Sequence, residues 1–173
     1  MDERLFAVPV AVCILAHVAR DIYEALKERH ILTPDRTTFL VMFSNMVLLW
    51  ISWCLLCLFD PSKVDPPSLI RYAGIGLFGA GAILFAAGLL SLRTLESYDN
   101  DLVTGGIYSK IRHPMYLAFI LWLVGLPFVF GGVLSFILAP FFLANVLLWR
   151  HLEERELEQR FAFYREYRRA TLF

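Results

Sequence analysis

The sequence predicts an all-α, polytopic membrane protein of about five transmembrane helices, with a C-terminal helical hairpin and a cytosolic tail helix. Three observations carry that reading. Apolar side chains make up 58% of the 173 residues, above the roughly 45–50% of a soluble globule. They gather in runs close to membrane-crossing length, separated by polar or turn-rich connections. A five-span arrangement also sorts the bases, with Arg4, Lys63 and Arg71 on one side and the remaining thirteen of the sixteen Lys and Arg on the other. The positive-inside bias then puts the N-terminus outside, and the third connection and the tail in the cytoplasm. The formal net charge of zero argues against a nucleic-acid surface, so the expected partner is the lipid bilayer. A single domain over 1–173 is expected.

Leu5 to Ala19 is the first apolar run, short for a crossing unless Arg4 and Arg20 snorkel to the interfaces. Asp2 precedes Arg4, and the run passes straight into charged sequence, which favours a retained span over a cleaved signal. The polar stretch Arg20 to Thr38 extends the helix past the interface until Thr33-Pro34 breaks it. Phe39 to Phe59 is a full-length second span, ended by Asp60-Pro61 and the turn-rich Pro66-Pro67. Leu69 to Leu92 is the third, and carries Gly74, Gly76, Gly79, Gly81 and Gly88. In lipid, small residues let helix backbones approach closely. Met115 to Trp149 is too long for one crossing and is punctuated by Gly125, Pro127 and Gly131-Gly132. It reads as a hairpin of spans four and five. Cys54 and Cys57 have C-x-x-C spacing, but with no βαβ context and no nearby His. With Cys13 they read as small packing residues, and no metal site is expected.

Two clusters on the cytoplasmic side carry side chains capable of chemistry. The first is LVTGGIYSKIRHPMY, from Leu102 to Tyr116. Pro114 suits a first helical turn and pushes His113 out of the α region, placing that histidine at the water boundary. His113 reads as an interfacial cap or a catalytic group, and Tyr116 as an interfacial anchor or a site residue. The second cluster begins where span five leaves the membrane, at Arg150-His151-Leu152-Glu153-Glu154-Arg155-Glu156-Leu157-Glu158. On a continuing helix Arg150 and Glu154 share a face. Arg155, Glu158 and Arg165 read as solvated charge, and taken alone the segment is a surface helix.

Taken together, these residues resemble the isoprenylcysteine carboxyl methyltransferase and phospholipid N-methyltransferase superfamily. The resemblance is carried by LVTGGIYSKIRHPMY, the hydrophobic hairpin, and Glu153-Glu154 followed by Leu157 and Phe161. It runs from about Leu69 to the C-terminus, so the catalytic region is expected at about 69–173. It implies an S-adenosyl-L-methionine-dependent methyltransferase whose cofactor pocket faces the cytosol. The implied acceptor is lipophilic and membrane-embedded: a prenylcysteine-type carboxylate, a phospholipid amine, or a small thiol or amine. The resemblance also implies roles for individual residues. Tyr108, His113 and Tyr116 contact the cofactor, and one of Glu153 and Glu154 accepts hydrogen bonds from its methionyl ammonium. Arg150 is the basic residue beside that pair, catalytic together with Glu154, and Phe161, Tyr164 and Tyr167 form an aromatic tail that closes the pocket. The donor's chemistry fits such a set, since an ammonium, a carboxylate, a sulfonium and an adenine call for an acid, a base, oxygen or aromatic lining, and a stacking surface. On this reading Glu154→Ala removes cofactor binding and spares the fold.

The chain departs from the family pattern in two places. The connection Arg93 to Asp101 is shorter than in many relatives, and Ala162 follows Phe161 where a Gly is usual, with Tyr164 three residues on rather than four. Gly79 and Gly81 are similar to a G-x-G stretch of the phospholipid branch, but read as helix packing. Two other functions fit the same segments. Related membrane sterol reductases share the C-terminal arrangement and use NADPH, though they tend to have Asn where this chain has Met115. A non-catalytic membrane scaffold would keep the fold without turnover.

Overall fold

The computed structural model describes residues 4–29, 31–32, 35–91 and 102–173. Regular structure among them is helical: α1 (Arg4–Glu28), α2 (Arg36–Leu58), α3 (Ser68–Ser91), α4 (Pro114–Phe130), α5 (Val133–Arg160) and α6 (Tyr164–Ala170), with a 3-10 turn at Gly106–Ser109. Hydrocarbon offers backbone groups no partner, so each spanning segment satisfies its own N–H and C=O groups as a helix. Four of these helices, α1, α2, α3 and α5, are long and apolar enough to cross a membrane.

The fifth expected span, α4, has 17 residues, about 25 Å at 1.5 Å per residue and at the short end of the crossing range. Its ends are fixed by sequence. Pro114 occupies its first turn, and Gly131 terminates it at φ 68°, a left-handed conformation open to glycine. Pro127, which the sequence reading takes as punctuation, lies inside the last turn of α4 rather than breaking it. After the turn, α5 runs unbroken for 28 residues. The Glu153-Glu154 pair therefore rides on the same rod as the last apolar span. α1 ends at Glu28, and Thr33-Pro34, the expected breaker, lies outside the described residues. Asp35 starts α2 by accepting the Thr38 N–H at 2.7 Å.

Helices α3 and α4 make the closest pair, and three of the five α3 glycines explain why. A β-carbon at Gly74 would meet the Gly125 carbonyl at 2.8 Å, one at Gly81 would meet Trp122 Nε1 at 2.6 Å, and one at Gly88 would meet Met115 Cγ at 3.1 Å. These positions fall seven apart and share a helix face. Gly76 and Gly79 face open space, so the expectation that they serve helix approach is corrected. α1 packs on α2, whereas α2 and α3 barely touch among the described residues.

The two ends of the bundle differ. At one end the α2–α3 connection is stitched to the hairpin turn, with Val64 N donating to Gly131 O at 2.9 Å and Val133 N to Ser62 O at 2.9 Å. The buried Asp60 carboxylate accepts the Ser135 N–H at 2.7 Å and caps the start of α5. At the opposite end α1 is tied to the extension of α5 by Lys27–Glu156 at 2.6 Å and Arg155–Glu28 at 3.1 Å. Arg155 and Glu158, read as solvated charge, form pairs at the surface, Arg155 with the half-exposed Glu28 and Glu158 with Arg168 at 2.6 Å. Cys13 and Cys57 are buried in the core and Cys54 is exposed, all three as free thiols.

Candidate active site

A cavity of about 530 Å³ opens at the α1–α5 end of the bundle, within the size range of small-molecule sites. Its polar end is built by Tyr108, His113, Tyr116 and Glu153, joined by Arg20 of α1. Its remaining wall is largely apolar and aromatic. The Trp50 ring lies 4.8 Å from that of Phe119 and 5.1 Å from that of Trp122, and Phe85 lies 5.4 Å from Trp122. This slot runs between α2 and α3, where the helices leave each other.

Local structure places each polar group. Tyr108 sits in the 3-10 turn and its ring is buried. His113 is the N-cap of α4 at φ −125°, ψ 62°, outside the α region as the following proline requires. Tyr116 follows at the first turn of α4. Glu153 is four residues beyond Trp149 on α5, so both project from one face into the cavity. Burial lifts the Tyr108 hydroxyl above its ordinary range, which keeps it a protonated donor.

Glu154, one residue on, points elsewhere, because consecutive helical residues are turned by about 100°. Its Oε1 accepts from Arg112 Nε at 3.3 Å and from an Arg150 terminal nitrogen at 3.2 Å. His113 Nε2 stands 3.5 Å from the same oxygen, without an aligned hydrogen bond, and Arg168 lies 3.9 Å from Oε2. The Glu154 side chain is 8% exposed. Arg112 also donates to the carbonyls of Arg168 at 2.8 Å and Thr171 at 2.7 Å. Glu154 and Arg150 therefore lie outside the cavity wall, in an ion cluster behind His113, which differs from the catalytic placement the sequence suggests.

The aromatic tail likewise holds the site from outside. Tyr167 donates its hydroxyl to Tyr108 O at 2.6 Å. Leu172 N donates to Lys110 O at 2.8 Å while Arg112 N donates to Leu172 O at 3.0 Å. Phe161 caps the C-terminus of α5, and Tyr164 is fully buried. None of Phe161, Tyr164 and Tyr167 lines the cavity. The physical reason is that α5 ends at Arg160 and the chain doubles back under the 106–113 segment, clamping the stretch that carries Tyr108 and His113. The Arg93 to Asp101 connection lies outside the described residues. The sequence reading missed Arg20, Tyr23, Arg112 and Trp149 as wall residues. For Trp149 the signal was its i, i+4 relation to Glu153, whereas Arg20 and Tyr23 come from a helix distant in sequence.

Burial holds the His113 imidazole below its ordinary pKa, with partial opposition from Glu153 and Glu154. The folded state resists the proton that the unfolded state accepts near pH 6.5, so the histidine costs no stability above that pH. Below it, stability falls as pH drops toward the folded pKa. Thermal melts of wild type and His113→Asn between pH 7.5 and 5 should show a shallower acid-side decline in the variant. Parallel slopes would contradict a neutral buried His113.

Comparison with known proteins bears on the same segments. The phospholipid methyltransferase family model matches residues 69–163. The protein-S-isoprenylcysteine O-methyltransferase of Schizosaccharomyces pombe is 35% identical over 57 residues, covering 33% of this chain and 22% of that protein. The chain therefore matches less than a quarter of that relative's length. No solved structure matches. The family match takes in α3, the clamped 106–113 segment, the α4–α5 hairpin and Glu153, more than half of the chain, and on it this polytopic membrane protein belongs to the phospholipid methyltransferase family.

Proposed function

We propose that the chain is an S-adenosyl-L-methionine-dependent methyltransferase acting on a lipophilic acceptor held in the bilayer, with its site at the cytoplasmic face. The observation that carries this reading is the convergence, at one end of a single cavity, of Tyr108, His113 and Tyr116 from the α4 approach with Glu153 from α5. The proposed catalytic unit is 69–173 within a single domain.

The residues fit the donor. Glu153 is the acid of the cavity wall and takes the methionyl ammonium, while Tyr108, Tyr116 and Trp149 supply hydroxyl and aromatic surface for the rest. When bound, the donor supplies an electrophilic methyl on a sulfonium. In-line transfer needs alignment and exclusion of water more than covalent help, and the buried polar end joined to an apolar slot provides both. The gap between α2 and α3 admits an acceptor chain from the lipid. A carboxylate acceptor needs no base. An amine acceptor must lose a proton, and His113, kept neutral by burial, is the wall residue suited to take it. Glu154 and Arg150 act behind the wall, and Arg112, itself a wall residue, joins them to the tail and fixes the clamped segment.

Thirteen of the sixteen bases belong to connections and tail on the α1–α5 extension side of the five-span reading, which supports a cytoplasmic site. The test is incubation of detergent-solubilised protein with methyl-labelled donor and a total lipid extract. Label is expected in the organic phase, together with thermal stabilisation by S-adenosylhomocysteine but not by NADPH. Stabilisation by NADPH alone, with no label transferred, would move the chain to reductase chemistry.

A further inference from the structure

The cavity has a cation that the family match does not reach. Arg20 lies on α1, outside residues 69–163, yet its side chain forms part of the same wall as Glu153 and Tyr116. α1 is fastened to α5 at this level, with Trp149 Nε1 donating to Asp21 Oδ1 at 2.6 Å and Asn145 Nδ2 to Asp21 Oδ2 at 3.3 Å. Lys27 and Glu156 close the same seam about two turns further out. Arg20 is therefore held in place.

Its guanidinium has capacity to spare. One arm meets Glu24 at 2.5 Å, and Glu24 is almost fully buried and does not contribute to the wall. The carboxylate thus grips the arginine from outside the cavity, and the Tyr23 and Trp149 rings flank it at 5.3 and 5.9 Å. Its Nε is buried and donates to no described residue. A guanidinium has five N–H donors in a rigid fork, so the Glu24 carboxylate does not saturate it, and the Nε–H is left for a ligand. The other arginine of the wall, Arg112, is committed to Glu154 and to two tail carbonyls.

We infer that Arg20 is an anion-binding, specificity-determining residue of this cavity, engaging the negative group of a zwitterionic ligand whose ammonium rests on Glu153. Two ligands carry that chemistry: the amino-acid head of the methyl donor, with its carboxylate, and the headgroup of an aminophospholipid, with its phosphate. The donor version rests on the function proposed above. The lipid version does not.

The experiment has two arms, each pairing a ligand that bears the anion with one that lacks it. In the first, wild type and Arg20→Gln are titrated with S-adenosylhomocysteine and with its decarboxylated analogue. In the second, they are titrated with lysophosphatidylethanolamine and with a monoacylglycerol. Because Arg20→Gln leaves Glu24 buried without its partner, the double variant Arg20→Gln/Glu24→Gln is measured alongside as a control for folding. The expected result, in at least one arm, is a loss of affinity on the order of tenfold to a hundredfold for the anion-bearing ligand, with its counterpart unchanged, in both variants. The arm that responds identifies the source of the anion. Equal losses for both ligands of a pair, or no change in either arm, would overturn the assignment. Failure of the methyltransferase proposal looks different: wild type would bind no S-adenosylhomocysteine, while the lipid arm still judged Arg20.

Discussion

Replacing Glu153 with Gln should weaken S-adenosylhomocysteine binding by on the order of tenfold to a hundredfold, the range for losing a charge-assisted hydrogen bond, while the melting temperature stays near that of wild type. Glu153 is the carboxylate of the cavity wall, set among Tyr108, Tyr116 and His113 at the end where the apolar slot stops. Gln keeps the shape and one acceptor but removes the charge that an ammonium requires. Calorimetric titration of purified protein measures the affinity, and a thermal melt without ligand checks the fold. Undiminished affinity in a well-folded variant would remove Glu153 from the ammonium site.

Glu154→Ala should behave in the opposite manner, losing stability first. Its carboxylate is the shared partner of Arg112 and Arg150 and lies within 3.9 Å of Arg168. Both Glu154 and Arg112 have less than a tenth of their side-chain surface exposed. Removing the carboxylate leaves the buried Arg112 without its charge partner, at a cost of about 3–5 kcal/mol, whereas Arg168 keeps Glu158 at 2.6 Å. Arg112 in turn holds the tail through the carbonyls of Arg168 and Thr171. The expected signs are a lowered melting temperature and faster proteolysis within 161–173. Glu154→Gln should recover part of the loss, since it still accepts hydrogen bonds. If Glu154→Ala instead melts like wild type and fails only to bind S-adenosylhomocysteine, the roles of the two neighbouring glutamates are exchanged.

That contrast marks where sequence reading stopped. The pair Glu153-Glu154 was legible as a pair, and so was its position at the exit of the last span. Which of the two faces the cavity was not, because helical periodicity fixes only their angle relative to each other. The direction of the whole face depends on how α5 is rotated against α1 and α4. Tyr108, His113 and Tyr116 were named through the resemblance that LVTGGIYSKIRHPMY carries, and the three lie together in the cavity wall. The aromatic tail, which the resemblance implies closes the pocket, has a different part: Tyr167 donates to the backbone of Tyr108 instead of lining the cavity. Arg20 went unread because nothing in a linear sequence ties it to a glutamate 133 residues away.

By itself the sequence determined that this chain is a bundle of membrane helices, where those helices lie to within a few residues, and that a His-Pro turn and an acidic pair frame a hairpin. Those features follow from local causes: apolar runs, prolines at helix starts, glycine at a left-handed stop. Only the tertiary structure decided which glycines of α3 touch α4, that Glu153 faces the cavity while Glu154 anchors the tail, and that α1 adds a cation to the wall. Side-chain direction there is set by packing between helices remote in sequence, where close approach and the pairing of buried charge choose one rotation of each helix.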